Sequence, residues 1–117
     1  MISEAELIEL VFEHVCEHHP EAVAELRDEE IQRRSAVAVE RALRHGFTKE
    51  PSVAAFAALM FLVGPNFDQQ PAIRAALADA TMSPDARMAK LMTRTKEQDW
   101  DEAGALADTA EWLGPSV

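Results

Sequence analysis

Between Ser52 and Gly64 the chain reads Val53-Ala54-Ala55-Phe56-Ala57-Ala58-Leu59-Met60-Phe61-Leu62-Val63, eleven residues without a polar side chain. At the 100° step of a helix these positions cover every face, so a helix made of them has no side suited to water and must be surrounded by other elements. It is also too short to cross a bilayer, which takes about 20 apolar residues. Pro51 fits inside the first turn, where a missing N–H costs nothing, with Thr48 as the expected N-cap. Gly64-Pro65-Asn66-Phe67-Asp68 is a loop signal that ends the helix. The spacing therefore predicts a central hydrophobic helix over residues 49–63, burying Val53, Phe56, Leu59, Met60, Phe61, Leu62 and Val63. Its four alanines let neighbours approach closely.

The segments around it carry helical signals as well. Ser3-Glu4-Ala5-Glu6 is a capping-box pattern opening a helix to His18, just before Pro20. Leu7, Ile8, Val11, Val15 and His18 share one face of that helix, and Glu6, Glu9, Glu13 and Glu17 form a stripe on the other side. Pro20 suits the first turn of a short helix with Ala22, Val23 and Leu26. Asp28 begins a second long helix that places Ile31, Ala38, Val39, Ala42 and Leu43 inward and ends at Gly46. Asp68 is the expected cap of a short helix with Pro71 in its first turn, carrying Ile73, Ala76, Leu77 and Ala80. Ser83-Pro84 is a further start signal, followed by Met88, Leu91, Met92 and Thr95 on one face. Asp99 is the expected cap of a last helix with Trp100, Ala103, Leu106, Ala110 and Leu113, closed by Gly114-Pro115; a continuous helix over residues 84–113 is the alternative. Nothing alternates with period two. The expectation is an all-α fold, a compact bundle of about five to six helices around the central one, in a single domain over residues 1–117.

Charge narrows the function. With 21 acidic against 11 basic side chains the formal charge is −10, which argues against nucleic acid and against anionic membrane, both of which select clustered Lys and Arg. The excess sits at the ends: residues 1–30 hold ten acids and one base, residues 96–117 six and one, and residues 31–95 nine bases and five acids. End segments folding back on a mildly basic centre are the expected result. One cysteine, Cys16, allows no internal disulfide, and the acidic start Met1-Ile2-Ser3-Glu4 lacks the basic-then-apolar form of a signal peptide, so a cytoplasmic location is expected.

His14-Val15-Cys16-Glu17-His18 matches H-x-x-E-H, the inverted zinc-protease pattern: histidines four apart face one metal, and a glutamate can deprotonate its water. No third ligand follows by spacing, such proteases are much larger, and short patterns recur by chance. Glu13 and Glu17 flank Cys16 and disfavour a thiolate. Asn66, Asp68, Gln69 and Gln70 offer too few carboxylates for calcium. No enzyme activity, catalytic residue, metal or cofactor is expected.

The stripe Glu6-Glu9-Glu13-Glu17 is more informative. Like charges one turn apart destabilise a helix by about 0.2–0.5 kcal/mol per pair, and no Lys or Arg is interleaved. A solvated face is its ordinary explanation; a surface for a basic protein partner is the functional one. Trp100 and Trp112 are further candidate contacts, since tryptophan anchors interfaces out of proportion to its frequency, with packing of the last helix as the ordinary alternative.

Arg41-Ala42-Leu43-Arg44-His45-Gly46-Phe47-Thr48, the apolar helix, and Gly64-Pro65-Asn66-Phe67-Asp68 form an entry, a greasy helix and an exit. Over roughly residues 35–95 this pattern resembles small helical proteins, and helical C-terminal lobes, associated with type VI secretion effector chaperones in proteobacteria. The resemblance implies a cytosolic, non-enzymatic adaptor or chaperone that helps load a secreted effector. The large N-terminal lobe of the bigger chaperones has no counterpart here. A second class is an immunity protein whose acidity plugs a basic toxin site; a third is a small zinc hydrolase using His14, Glu17 and His18.

Overall fold

In the computed structural model residues 2–113 are described. They form seven α-helices: α1 (Glu4–His18), α2 (Pro20–Val23), α3 (Asp28–Arg44), α4 (Glu50–Leu62), α5 (Pro71–Leu77), α6 (Pro84–Arg94) and α7 (Glu97–Ala105). Two 3-10 turns, Phe67–Gln69 and Thr109–Leu113, complete the set, and there is no strand among the described residues. The bundle is all-α, with α1 and α3 packed on each other and on α4.

The first helix begins where its cap dictates. The Ser3 hydroxyl accepts from the Glu6 N–H at 3.1 Å and donates to the Glu6 carboxylate at 3.3 Å, a local pair in place of the reciprocal backbone bond of a full capping box. Leu7, Val11 and Val15 are buried and Ile8 half-buried, while His18, although on the same face, is exposed in the last turn. The second long helix buries Ile31, Ala38, Val39 and Ala42, together with Ser35, whose hydroxyl donates back to the Ile31 carbonyl at 2.7 Å. It ends in a Schellman turn: the Gly46 N–H bonds the Leu43 carbonyl, the Phe47 N–H bonds that of Ala42, and Gly46 takes φ +91°. Phe47 is thereby turned into the core with no exposed area.

The apolar run forms α4 as expected, with two corrections. Lys49, not Thr48, is the N-cap, and it makes no side-chain capping bond. Val53, Phe56, Leu59 and Met60 are buried, but Phe61 and Val63 are only half-buried and Leu62 is 54% exposed. The last turn of α4 reaches the edge of the bundle, where Phe61 is covered from one side by Trp112 at 4.9 Å between ring centroids.

The loop after α4 ties the two halves of the chain together. Adding a Cβ at Gly64 would bring it 2.6 Å from the Ala107 Cβ, so only glycine permits this approach. Asn66 donates to the Leu106 carbonyl at 3.0 Å and accepts the Asp108 N–H at 2.8 Å. Phe67 is fully buried between Phe56 and Trp100, at 5.1 and 6.4 Å. Asp68 is not a helix cap. It lies 7% exposed, accepting from Arg41 at 3.2 Å and hydrogen-bonded to His45 Nε2 at 2.9 Å, while Arg41 also donates to the Pro65 carbonyl at 3.1 Å. Burial alone would raise the Asp68 pKa; the His45 hydrogen bond and the Arg41 charge outweigh it and hold the carboxyl below its ordinary value. The helix cap is Gln70, whose side-chain carbonyl accepts the Ile73 N–H at 2.9 Å.

Ile73 and Leu77 are buried on α5, Ala76 is half-buried, and Ala80 lies beyond the helix, exposed. Ser83 caps α6 through the Ala86 N–H at 3.2 Å; Met88 and Leu91 are buried, but Met92 is 53% exposed, on an edge of the helix that no described residue covers. Thr95 adopts an extended conformation and ends α6, so residues 84–113 are two helices and a 3-10 turn. The cap of α7 is Lys96, and Asp99 sits within its first turn, accepting from Gln70 at 3.3 Å. Ala103 is buried, whereas Leu106, Ala110 and Leu113 are exposed; Gly114-Pro115 lies outside the described residues. The acidic C-terminal segment does fold back on the arginines of α3. Arg33 donates to the Trp112 carbonyl, the Arg34 guanidinium lies 5.3 Å from the indole centroid, and Arg41 approaches Glu111 at 3.8 Å.

Phe56→Ala removes a ring in contact with Phe47, Phe67 and His45, and is expected to cost about 3–5 kcal/mol, with about 2–5 for Leu59→Ala. Thermal melts monitored by circular dichroism check both, and unchanged melting temperatures would refute a central role for α4. Because the folded Asp68 pKa is depressed, its stabilisation is present above the ordinary value of 3.8 and is lost as pH falls through the lower folded value. Stability should therefore drop more steeply below pH ~4 in the wild type than in Asp68→Asn. Arg41→Ala, which strands the buried carboxylate, is expected to cost about 3–5 kcal/mol near neutral pH.

Candidate protein-binding surface

Glu6, Glu9, Glu13 and Glu17 are all exposed along the outer crest of α1. At 1.5 Å per residue they span about 16 Å. None forms a salt bridge with a Lys, Arg or His among the described residues. The arginines of α3 are engaged elsewhere, Arg33 and Arg34 with Glu30 at 2.6 and 2.7 Å, Arg41 with Asp68 and Arg44 with Glu40 at 2.6 Å, and Lys49 pairs with Asp85 at 2.9 Å. Hydrogen bonds from Arg33 and then Arg34 bring the Glu30 pKa down to about 2. The arginines of α3 are thus taken up by Glu30, Glu40 and Asp68, and none of them reaches the crest of α1.

Two grooves border the crest. One, between α1 and α3, is lined by Ala5, Ile8, Phe12 and Gln32 with Glu9 and Glu13 at its edge. The other, between α1 and α4, has about 450 Å³ of volume and is lined by Leu10, His14, Pro51, Ala54 and Ala55, with Glu50 on the far side. Sequence reasoning missed this second groove. An all-apolar helix was expected to be covered on every side, yet the first half of α4 leaves Ala55 only half-buried and Pro51 exposed.

The other candidate residues are placed differently. Trp112 is 3% exposed, its ring occupied by Phe61 and Arg34, so it holds the C-terminal turn to the bundle and presents no surface to a partner. Trp100 is half-buried beside Phe67, on α7 and not on the α1 crest. The structure does not bring the two tryptophans and the four glutamates into one patch.

The rings of His14 and His18 lie 4.8 Å apart, and those of His14 and His19 lie 5.5 Å apart. Burial, and then the charges of His18 and His19, lower the His14 pKa despite the opposing Glu17. Among the described residues no group of three or more His, Cys, Asp or Glu side chains is arranged to hold a metal ion. Burial and then Asp28 raise the Cys16 thiol pKa, against the direction a nucleophile needs. No helix among the described residues is long and apolar enough to cross a membrane. No family model, curated protein or solved structure matches the chain.

Proposed function

We propose that this chain is a non-enzymatic protein-binding module whose α1 crest receives a basic protein. The observation that carries the reading is the bare stripe Glu6-Glu9-Glu13-Glu17, in a chain whose α3 arginines are engaged with other carboxylates. Four like charges on successive turns give the isolated fold nothing, since each pair is mildly repulsive. Opposite a cationic surface the same charges attract, and at the edge of a low-dielectric body their field accelerates encounter. The resemblance over roughly residues 35–95 points to the biological form of this activity: an adaptor or chaperone in the cytosol that holds a basic type VI secretion effector before delivery.

The test begins with capture of partners from the native host by pull-down and mass spectrometry. Association rates with the captured protein are then measured at low and high salt for wild type and for Glu9→Lys/Glu13→Lys. The double variant should keep a near-wild-type melt, because exposed substitutions usually change stability by within about 0.5 kcal/mol. Its association at low salt should be at least ~10-fold slower, with a weaker salt dependence. Equal rates in all four conditions would remove the crest from recognition. Should the partner be a toxin whose activity the complex blocks, the same surface serves neutralisation and not delivery.

A further inference from the structure

We infer that the groove between α1 and α4 is the seat of the partner, and that it takes a cationic amphipathic helix; this rests on the reading of the α1 crest as a surface for a basic protein.

The groove has an apolar floor between two acidic rims. Leu10 of α1 and Pro51, Ala54 and Ala55 of α4 make the floor, with His14 at one end. On the α1 side, Glu6 is one turn before Leu10 and Glu17 seven residues after it, on that flank of the helix, while Glu13, three after it, stands on the crest between the two grooves. Glu50, exposed in the first turn of α4, stands on the other wall. None of these four carboxylates forms a salt bridge among the described residues. The floor residues flanking α4 are small, so a helix can approach closely without displacing side chains.

These features select an occupant. A floor of apolar atoms selects an apolar stripe with spacing i, i+3, i+4, i+7. Acid on both rims selects Lys or Arg on both flanks of that stripe and repels an acidic segment. The crest spans about 16 Å, the length of about eleven helical residues, so three turns of a partner helix match it. An extended basic peptide satisfies the rims but leaves the floor uncovered. A second copy of this chain is disfavoured because each copy carries a charge of −10.

The test uses two synthetic 16-residue peptides of identical composition, leucine and lysine with a terminal fluorophore. One has its leucines on a single helical face with lysines on both flanks; the other has the same residues in scrambled order. Fluorescence anisotropy is measured against wild type, Ala55→Trp, Leu10→Gln and Glu13→Lys/Glu17→Lys, each first shown to keep the wild-type melt. The amphipathic peptide should bind the wild type at least ~10-fold more tightly than the scrambled one, since even one methylene in an apolar pocket discriminates by about 10-fold or more. Ala55→Trp, which fills the groove, should abolish that preference, and Leu10→Gln should reduce it. Glu13→Lys/Glu17→Lys should weaken both peptides. Equal binding of the two peptides to the wild type overturns the groove while leaving an acidic crest that recognises charge alone. An unaltered preference in both Ala55→Trp and Leu10→Gln places the site elsewhere and also overturns it. If Glu13→Lys/Glu17→Lys binds as wild type does, the crest and the groove fall together. Sedimentation showing a dimer that Ala55→Trp disrupts would assign the groove to a second copy, contrary to the inference.

Discussion

Asp68 is the carboxylate on which the arrangement of the two halves turns. Burying an unpaired charge is prohibitive, so this side chain is tolerable at 7% exposure only with Arg41 and His45 in place. Those partners lie four residues apart, about one turn, at the end of α3, and Asp68 lies in the loop leaving α4, so this ionic cluster fixes where α3 meets the second half of the chain. The Pro65 carbonyl on the same guanidinium, and Glu111 at 3.8 Å from it, extend the constraint to the C-terminal turn. Phe67 can enter the core because Asp68 beside it is held; a loop free to swing would leave both the ring and the charge without partners.

The periodic features were the legible ones. The eleven-residue apolar run announces a helix enclosed by others, and Ser3, Ser83 and Gly46 mark boundaries through local chemistry that no tertiary contact overrides. Asp68 shows the limit. An acidic residue three before a proline reads as a cap, because nothing in the local sequence reports that Arg41 and His45, 27 and 23 residues away, will claim the carboxylate. Gln70 takes the capping role instead. Leu62, Met92 and Leu106 fail for a related reason: helical phase says which residues share a face, but not where the neighbouring helix ends. The acidic crest was visible in the sequence. The apolar groove beside it was not, since its floor comes from α1 and α4 together.

The distribution of ion pairs separates two uses of charge. At Glu30, Glu40 and Asp68, carboxylates are matched by the arginines of α3, and Glu30 helps to position segments by holding Arg33 and Arg34 against the C-terminal turn. Along α1 the carboxylates position nothing within the chain. The crest of α1 lies uncompensated while the arginines of α3 are all engaged, which gives the molecule a direction in which it attracts cations. Burial of Trp112 belongs to the first use, an aromatic side chain consumed in closing the fold.

The helix caps carry a consequence for how the chain acquires its structure. Ser3, Gln70 and Ser83 each bond a first-turn N–H, whereas α3, α4 and α7 begin at Arg27, Lys49 and Lys96, which make no capping bond and place a cation at the positive end of the helix dipole. The first group of helices is marked by local signals that persist in the unfolded chain; in the second, only the acids of the first turn and tertiary contacts favour the start. The expected consequence is an uneven nascent helicity, strongest around residues 4–18 and 84–94 and weakest at the start of the helix that ends up at the centre. The core element would then be the one whose boundaries are settled last, imposed by its neighbours as they close around it.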